Sequence, residues 1–213
     1  MKDIEHIYVI NLDKDTERLQ HFKDEVGDAF TYTRIKGVEP LKRNKKLRIG
    51  QLGCLNSHIL ILEDAIKHNY KNILIFEDDI IVKDNWDNIK TAINDLQYLK
   101  PNLLYLGCSQ HKWKGVRTPG GKKEDVEIKD NYYHSLQSFG SFAVIINNSI
   151  YEILLNMYNK KEKPVDNYLM DYQKENKNKC IVMYPNKVIA DVTSSNTGKP
   201  RDQNKMAKQF RWI

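Results

Sequence analysis

Ile73-Leu74-Ile75-Phe76-Glu77-Asp78-Asp79 drives four apolar residues straight into three carboxylates. A short apolar run without polar alternation reads as a strand buried on both faces, as in the sheet of an α/β protein. Ligands of such sheets gather at the carboxyl ends of strands, which is where these acids stand. Side chains alternate along a strand, so Glu77 and Asp79 are expected on one face and Asp78 on the other. A same-face carboxylate pair suits a hard divalent ion, because Mg2+ or Mn2+ takes oxygen ligands and keeps positions for water and substrate phosphates. The competing reading is a solvated acidic turn in which Asp78 or Asp79 caps the next helix.

On both sides of this junction, apolar runs of strand length alternate with segments of helical period. Upstream, Leu55, Ile59, Leu62 and Ile66 predict a helix from about Leu52 to His68, and Ile7 to Leu12 predicts a first strand. Between them lie a helix carrying Leu19, Phe22 and Val26, capped by Asp13 or Asp15 and stopped at Gly27, then a strand from Phe30 to Val38. Downstream, Asp84 is expected to cap a helix through Trp86, Ile89, Ile93 and Leu96 that Pro101 ends. Leu103 to Leu106, Phe142 to Ile146, Ile181 to Tyr184 and Val188 to Val192 read as strands, and Asn148 to Tyr158 and Val165 to Glu175 as helices. His111 to Asn131 is polar and aperiodic and is expected to be a mobile loop. The expected fold is α/β, a single domain of 213 residues with a mostly parallel central sheet flanked by helices, followed by a polar tail over 193–213.

With 40% hydrophobic and 29% charged residues, the chain can bury a core and lies outside the composition of disordered proteins. No apolar stretch approaches the roughly 20 residues of a membrane span, and Ile7 to Ile10 is too short for a secretory signal core, so a soluble or peripheral, cytoplasmic protein is expected. Cys54, Cys108 and Cys180, odd in number and widely spaced, suit reduced buried thiols. A net charge of +6 is compatible with nucleic acid, an anionic membrane face or a phosphorylated substrate. Lys42 to Arg48 and Lys112 to Lys123 are basic runs that read either as solvated surface or as binding patches.

The segment Gly50-Gln51-Leu52-Gly53-Cys54-Leu55-Asn56-Ser57-His58 opens the helix before the acidic strand. Its glycines let backbone approach a ligand, and a helix N-terminus favours anions. Ser57 and His58 either hydrogen-bond that ligand or form a buried polar pair.

Taken together, Tyr8-Val9-Ile10-Asn11-Leu12 followed by Glu17-Arg18, the segment Gly50 to His58, and Ile75-Phe76-Glu77-Asp78-Asp79 at these separations resemble glycosyltransferase family 25. The likeness continues more weakly through Gly140 to Asn147 and Pro164-Val165-Asp166. It implies a GT-A-like fold and inverting, metal-dependent transfer of a hexose, galactose or glucose, from a UDP-sugar to a hydroxyl of a glycan, glycolipid or protein. Lipopolysaccharide biosynthesis is the implied setting, with peripheral membrane contact. Carried onto this chain, the resemblance implies that Asn11 and Leu12 line the nucleotide pocket and that Arg18 faces the diphosphate or braces the loop there. It implies Mn2+ or Mg2+ on Glu77 and Asp79, with Asp78 close to the donor, and Asp166 as catalytic base, with Asp171 and Asp191 as rivals. Residues 1–107 would form the donor half and residues 108–192 the acceptor half.

Two other classes compete. A metal-dependent nucleotidyl- or phosphoryl-transfer enzyme would also cluster carboxylates at a strand end, although no Walker-type glycine loop is present. A nucleic-acid-binding module would use the basic charge and stack bases on Tyr98, Tyr105, Tyr132 and Tyr133, but its phosphates would be repelled by the acidic triplet. The resemblance therefore favours a nucleotide-sugar partner and no nucleic acid.

Overall fold

The computed structural model describes residues 1, 3–109, 127–135, 137–191, 193 and 208. Most of the expected loop from His111, the second basic run and nearly all of the polar tail lie outside the described residues. In chain order the elements are β1 (His6–Asn11), α1 (Thr16–Val26), β2 (Thr33–Lys36), α2 (Ile49–Lys67), β3 (Asn72–Glu77), β4 (Ile80–Val82), α3 (Trp86–Gln97) and β5 (Leu103–Tyr105). They continue with β6 (Ile128–Lys129), β7 (Tyr132–His134), β8 (Ala143–Asn147), α4 (Tyr151–Tyr158), α5 (Val165–Glu175), β9 (Cys180–Met183) and β10 (Val188–Ala190).

Eight strands form one sheet in the order β2-β1-β3-β8-β5-β9-β7-β6, and β10 pairs with β4 in a small second sheet. The α/β class is as expected, but the sheet is mixed rather than mostly parallel. β2, β1 and β3 run parallel, as do β5 and β9, whereas β8 lies antiparallel between β3 and β5, and β7 is antiparallel to β9. An apolar run reports burial on both faces but carries no sign of direction, so β8 looks like its neighbours in sequence.

Strand alternation builds two cores. Ile73 and Ile75 face one side with Tyr8, Ile10 and Val144, where α2, α4 and α5 pack through residues such as Leu55, Leu62, Leu154 and Leu169. Leu74 and Phe76 face the other with Val9 and Ile145, where α1 and α3 contribute Phe22, Ile89 and Ile93. Each of these buried Leu, Ile and Phe side chains stabilises the fold by about 1.5–3 kcal/mol relative to exposure.

Asn85 rather than Asp84 caps α3. Its extended backbone places Oδ1 to accept the Asn88 N–H at 2.8 Å, the geometry a cap requires. Asp84, one residue too early, instead accepts from Lys187 Nζ at 2.7 Å and Asn88 Nδ2 at 2.9 Å. Gly27 ends α1 in the left-handed region at φ 50°.

Candidate active site

The acids at the end of β3 border a cleft of about 260 Å³ between the strand ends and the first turn of α2. Ile49, Gly50 and Gly53 of α2 line it, as do Leu12, Lys14, Gly37 and Pro40. Gly53 is required for this close approach, since a Cβ there would stand 2.4 Å from the Val38 carbonyl oxygen. The free N–H groups of the α2 terminus and their positive dipole end make this edge of the cleft suited to an anion.

Of the residues singled out in the sequence, Asn11, Leu12, Arg18, Ser57, Glu77, Asp78 and Asp79 all line the cleft. Alternation holds for the first two acids. Glu77 continues the Ile73–Ile75 face toward α2, and Asp78 turns to α1. The strand ends at Glu77, and Arg18 bridges the two acids of the turn that follows. Arg18 Nε donates to Asp78 Oδ1 at 2.8 Å, and its Nη2 lies 3.1 Å from Asp79 Oδ2. Asn11 Nδ2 donates to the other Asp78 oxygen at 2.6 Å and to the Asp15 carbonyl at 3.0 Å. The Asn11 side-chain oxygen accepts from Arg34 Nε at 2.9 Å. Asp78 is thus fully engaged with protein groups. Asp79 is less so, because its Oδ1 is buried without a hydrogen-bond partner.

Glu77 accepts a hydrogen bond from Ser141 Oγ and sits 4.0 Å from Cys54 Sγ. Burial, then the neighbouring Asp79 carboxylate, raises the Glu77 carboxyl well above the ordinary range, and burial also raises Asp79. Two buried carboxylates of this kind do not both ionise readily unless a cation joins them. Together with the orphaned Asp79 oxygen, this makes the pair fit a hard divalent ion, with Arg18 already neutralising part of the charge on the α1 side.

Ser57 serves the wall itself. Its hydroxyl donates to the Gly53 carbonyl and accepts the Val38 N–H, both at 2.9 Å, so it clamps the chain after β2 onto α2. His58 lies behind the cleft, completely buried, with neither ring nitrogen hydrogen-bonded. Burial holds its imidazole neutral, lowering its pKa to about 4. Leaving buried polar atoms unmet costs about 1–3 kcal/mol each.

Asp166, at the start of α5, lies outside the cleft lining; burial raises its carboxyl, and its charge acts on both Cys54 and Tyr158. Its Oδ1 accepts the Asn167 N–H at 2.9 Å. Asp171 is tied into ion pairs with Lys163 and Lys174. The Asp191 backbone N–H bonds the Asp79 carbonyl, which brings the end of β10 to the acidic turn. The first basic run is exposed from Lys42 to Lys46 apart from the partly buried Asn44, which folds it by accepting the N–H groups of Lys46 and Leu47. Two aromatic residues proposed for base stacking are core residues, Tyr105 and Tyr133, while Tyr98 is exposed.

Sequence reasoning passed over Arg34 and Cys54 as site residues, and pointed to Ser141, with Gly140, only as a place where a sugar could lie close to backbone. Arg34 left no local signal, because its partners Asn11 and Asp13 lie 23 and 21 positions away. Cys54 was visible one helical turn before His58, and Ser141 follows a glycine at the entry to an apolar strand.

The model of glycosyltransferase family 25, described as an LPS biosynthesis protein family, matches residues 4–169. A Haemophilus influenzae protein named "Putative glycosyltransferase" is 33% identical, over 76% of this chain and 60% of its own length. The mouse protein named "Inactive glycosyltransferase 25 family member 3" is 30% identical over 36% of this chain and 13% of its own. The chain thus spans less than two thirds of the length of these relatives. Among solved structures, a glycosyltransferase involved in glycosylation of the major capsid of PBCV-1 superposes with a TM-score of 0.56 at 12% identity, covering 98% of both chains.

Proposed function

The chain belongs to glycosyltransferase family 25, and on that premise we propose that it moves a hexose from a UDP-sugar to a hydroxyl of a glycan, glycolipid or protein, with inversion. The observation that carries this reading is the cleft itself, where the acids ending β3 face the anion-favouring first turn of α2. The family's description as an LPS biosynthesis protein family puts a glycolipid first among acceptors, and the exposed basic run beside Pro40 would favour an anionic headgroup.

Asn11 and Leu12 border the nucleotide, and Lys14 and the α2 terminus balance diphosphate charge. Glu77 and Asp79 would hold Mn2+ or Mg2+, which when bound supplies Lewis-acid stabilisation of the leaving diphosphate. Arg18 holds Asp78 in place, so that Asp78 orients Asn11 at the rim. Asp166, whose carboxyl is raised by burial, takes the proton of the acceptor hydroxyl as it attacks the anomeric carbon. The mouse relative's name makes retained turnover the point to be tested.

Calorimetric titration of UDP and several UDP-sugars, with and without Mn2+, against wild type and Asp79→Asn gives that test. Metal-dependent donor binding lost in the variant supports the reading, and failure of every uridine nucleotide to bind sinks it.

A further inference from the structure

We propose that Cys54, His58 and Glu77 form a second cation site, for a zinc-class ion, in the wall between the cleft and α2. Cys54 and His58 stand four residues apart on α2 and so share a face. Glu77 ends β3 on the side of the sheet that α2 covers. A thiol sulfur, an imidazole nitrogen and a carboxylate oxygen from these three residues all lie within 4.8 Å of one another. Cys54 Sγ and Glu77 Oε1 are 4.0 Å apart. Ligand atoms around a tetrahedral zinc ion stand roughly 3.3–3.8 Å apart, so small side-chain movements close the set.

His58 is the residue that points to a ligand. It is wholly buried, and neither ring nitrogen meets a hydrogen-bond partner. Ligation through one nitrogen would satisfy one of its two stranded ring atoms. A thiolate with an imidazole and one carboxylate selects zinc over the oxygen-seeking Mg2+ and Mn2+. Binding forms a zinc–sulfur bond while the Cys54 thiol proton leaves to solvent. Three protein ligands leave a fourth position, and because Cys54 and Glu77 line the cleft, that position faces it and takes water or a substrate oxygen. Glu77 is common to this site and to the proposed Mn2+ or Mg2+ pair, so the two would share that carboxylate; Cys54 and His58 set this site apart in ligand chemistry, and it does not depend on the identity of the sugar donor.

The test uses the whole chain, stripped by a chelator and titrated with Co2+, followed by displacement with Zn2+. One equivalent of cobalt should give a thiolate-to-cobalt charge-transfer band in the near ultraviolet, which one equivalent of zinc abolishes and excess Mn2+ leaves in place. Cys54→Ser should lose the band, His58→Asn should bind at least about 10-fold more weakly, and Asp79→Asn should keep the band. Absence of a thiolate band in wild-type protein at excess cobalt would overturn the proposal, as would a full band in Cys54→Ser. The wild-type readout stands even if a variant fails to fold. Uridine nucleotide binding without any cobalt band would remove this site and leave the proposed transferase reading untouched.

Discussion

Arg18 and Asp78 form an ion pair whose side chains are 18% and 7% exposed, with Nε 2.8 Å from Oδ1 and the same guanidinium reaching Asp79. Three adjacent acids at a strand end would repel one another without a cation, and the protein supplies one from its own first helix. Cation binding at the acidic turn, as proposed, would therefore adjust charge already balanced on one side. Arg18→Met should destabilise the metal-free protein by about 3–5 kcal/mol, because it leaves a buried carboxylate unpaired. Denaturant titration measures this, and Mn2+ should recover part of the loss. A loss below about 1 kcal/mol would mean that the pair is solvated.

Glu77 and Asp79 make metal-free stability depend on pH. Their carboxyls are raised in the folded chain. As pH climbs past the ordinary carboxylate range near 4, the unfolded chain releases these protons first while the folded chain retains them. Their contribution therefore falls with rising pH. His58 acts in the opposite direction, since its neutral buried ring is disfavoured below the ordinary histidine range. The difference between wild type and Glu77→Gln isolates the acid. Thermal melts from about pH 5 to pH 8 should show the variant gaining on wild type as pH rises, and Mn2+ should stabilise wild type more at the alkaline end. A constant difference would contradict the burial of this carboxyl.

Gly53→Ala should widen or distort the cleft wall, because the new methyl meets a backbone carbonyl 2.4 Å away that Ser57 holds in place. The expected cost is about 1–3 kcal/mol, with weaker donor binding by calorimetry. Unchanged stability and binding would show that the Val38 segment yields freely.

Asp166→Asn should slow transfer by about 10²–10⁴-fold while donor binding stays within twofold. Turnover with a UDP-sugar and a glycolipid acceptor, compared against Asp191→Asn, decides between the two acids. Loss confined to the Asp191 variant would move the base to the end of β10.

What could be read from the sequence follows from how local each cause is. α5 matches its expected bounds at Val165 and Glu175, and the core faces of α1, α2 and α3 follow the periodicity of their apolar residues. Glu77 and Asp78 point as strand alternation requires. Features that depend on distant partners were not visible. Nothing near Ala143 announces that its strand runs against both neighbours, and nothing near Arg18 shows that its partners lie 60 residues away. The end of β3 is likewise set by a distant partner, since the Glu77 N–H bonds the Phe142 carbonyl.

The antiparallel insertion of β8 also governs how the chain can be divided. β8 fills the seam between β3 and β5, two strands that belong to the first 105 residues yet never touch across the sheet. A fragment ending at Gly107 would expose two unsealed strand borders in its middle, so residues 1–107 are not a module that could be inherited or expressed apart from the rest. Split-chain complementation, in which residues 1–107 gain structure only when the remainder is added, would be the physical signature of that interlocking.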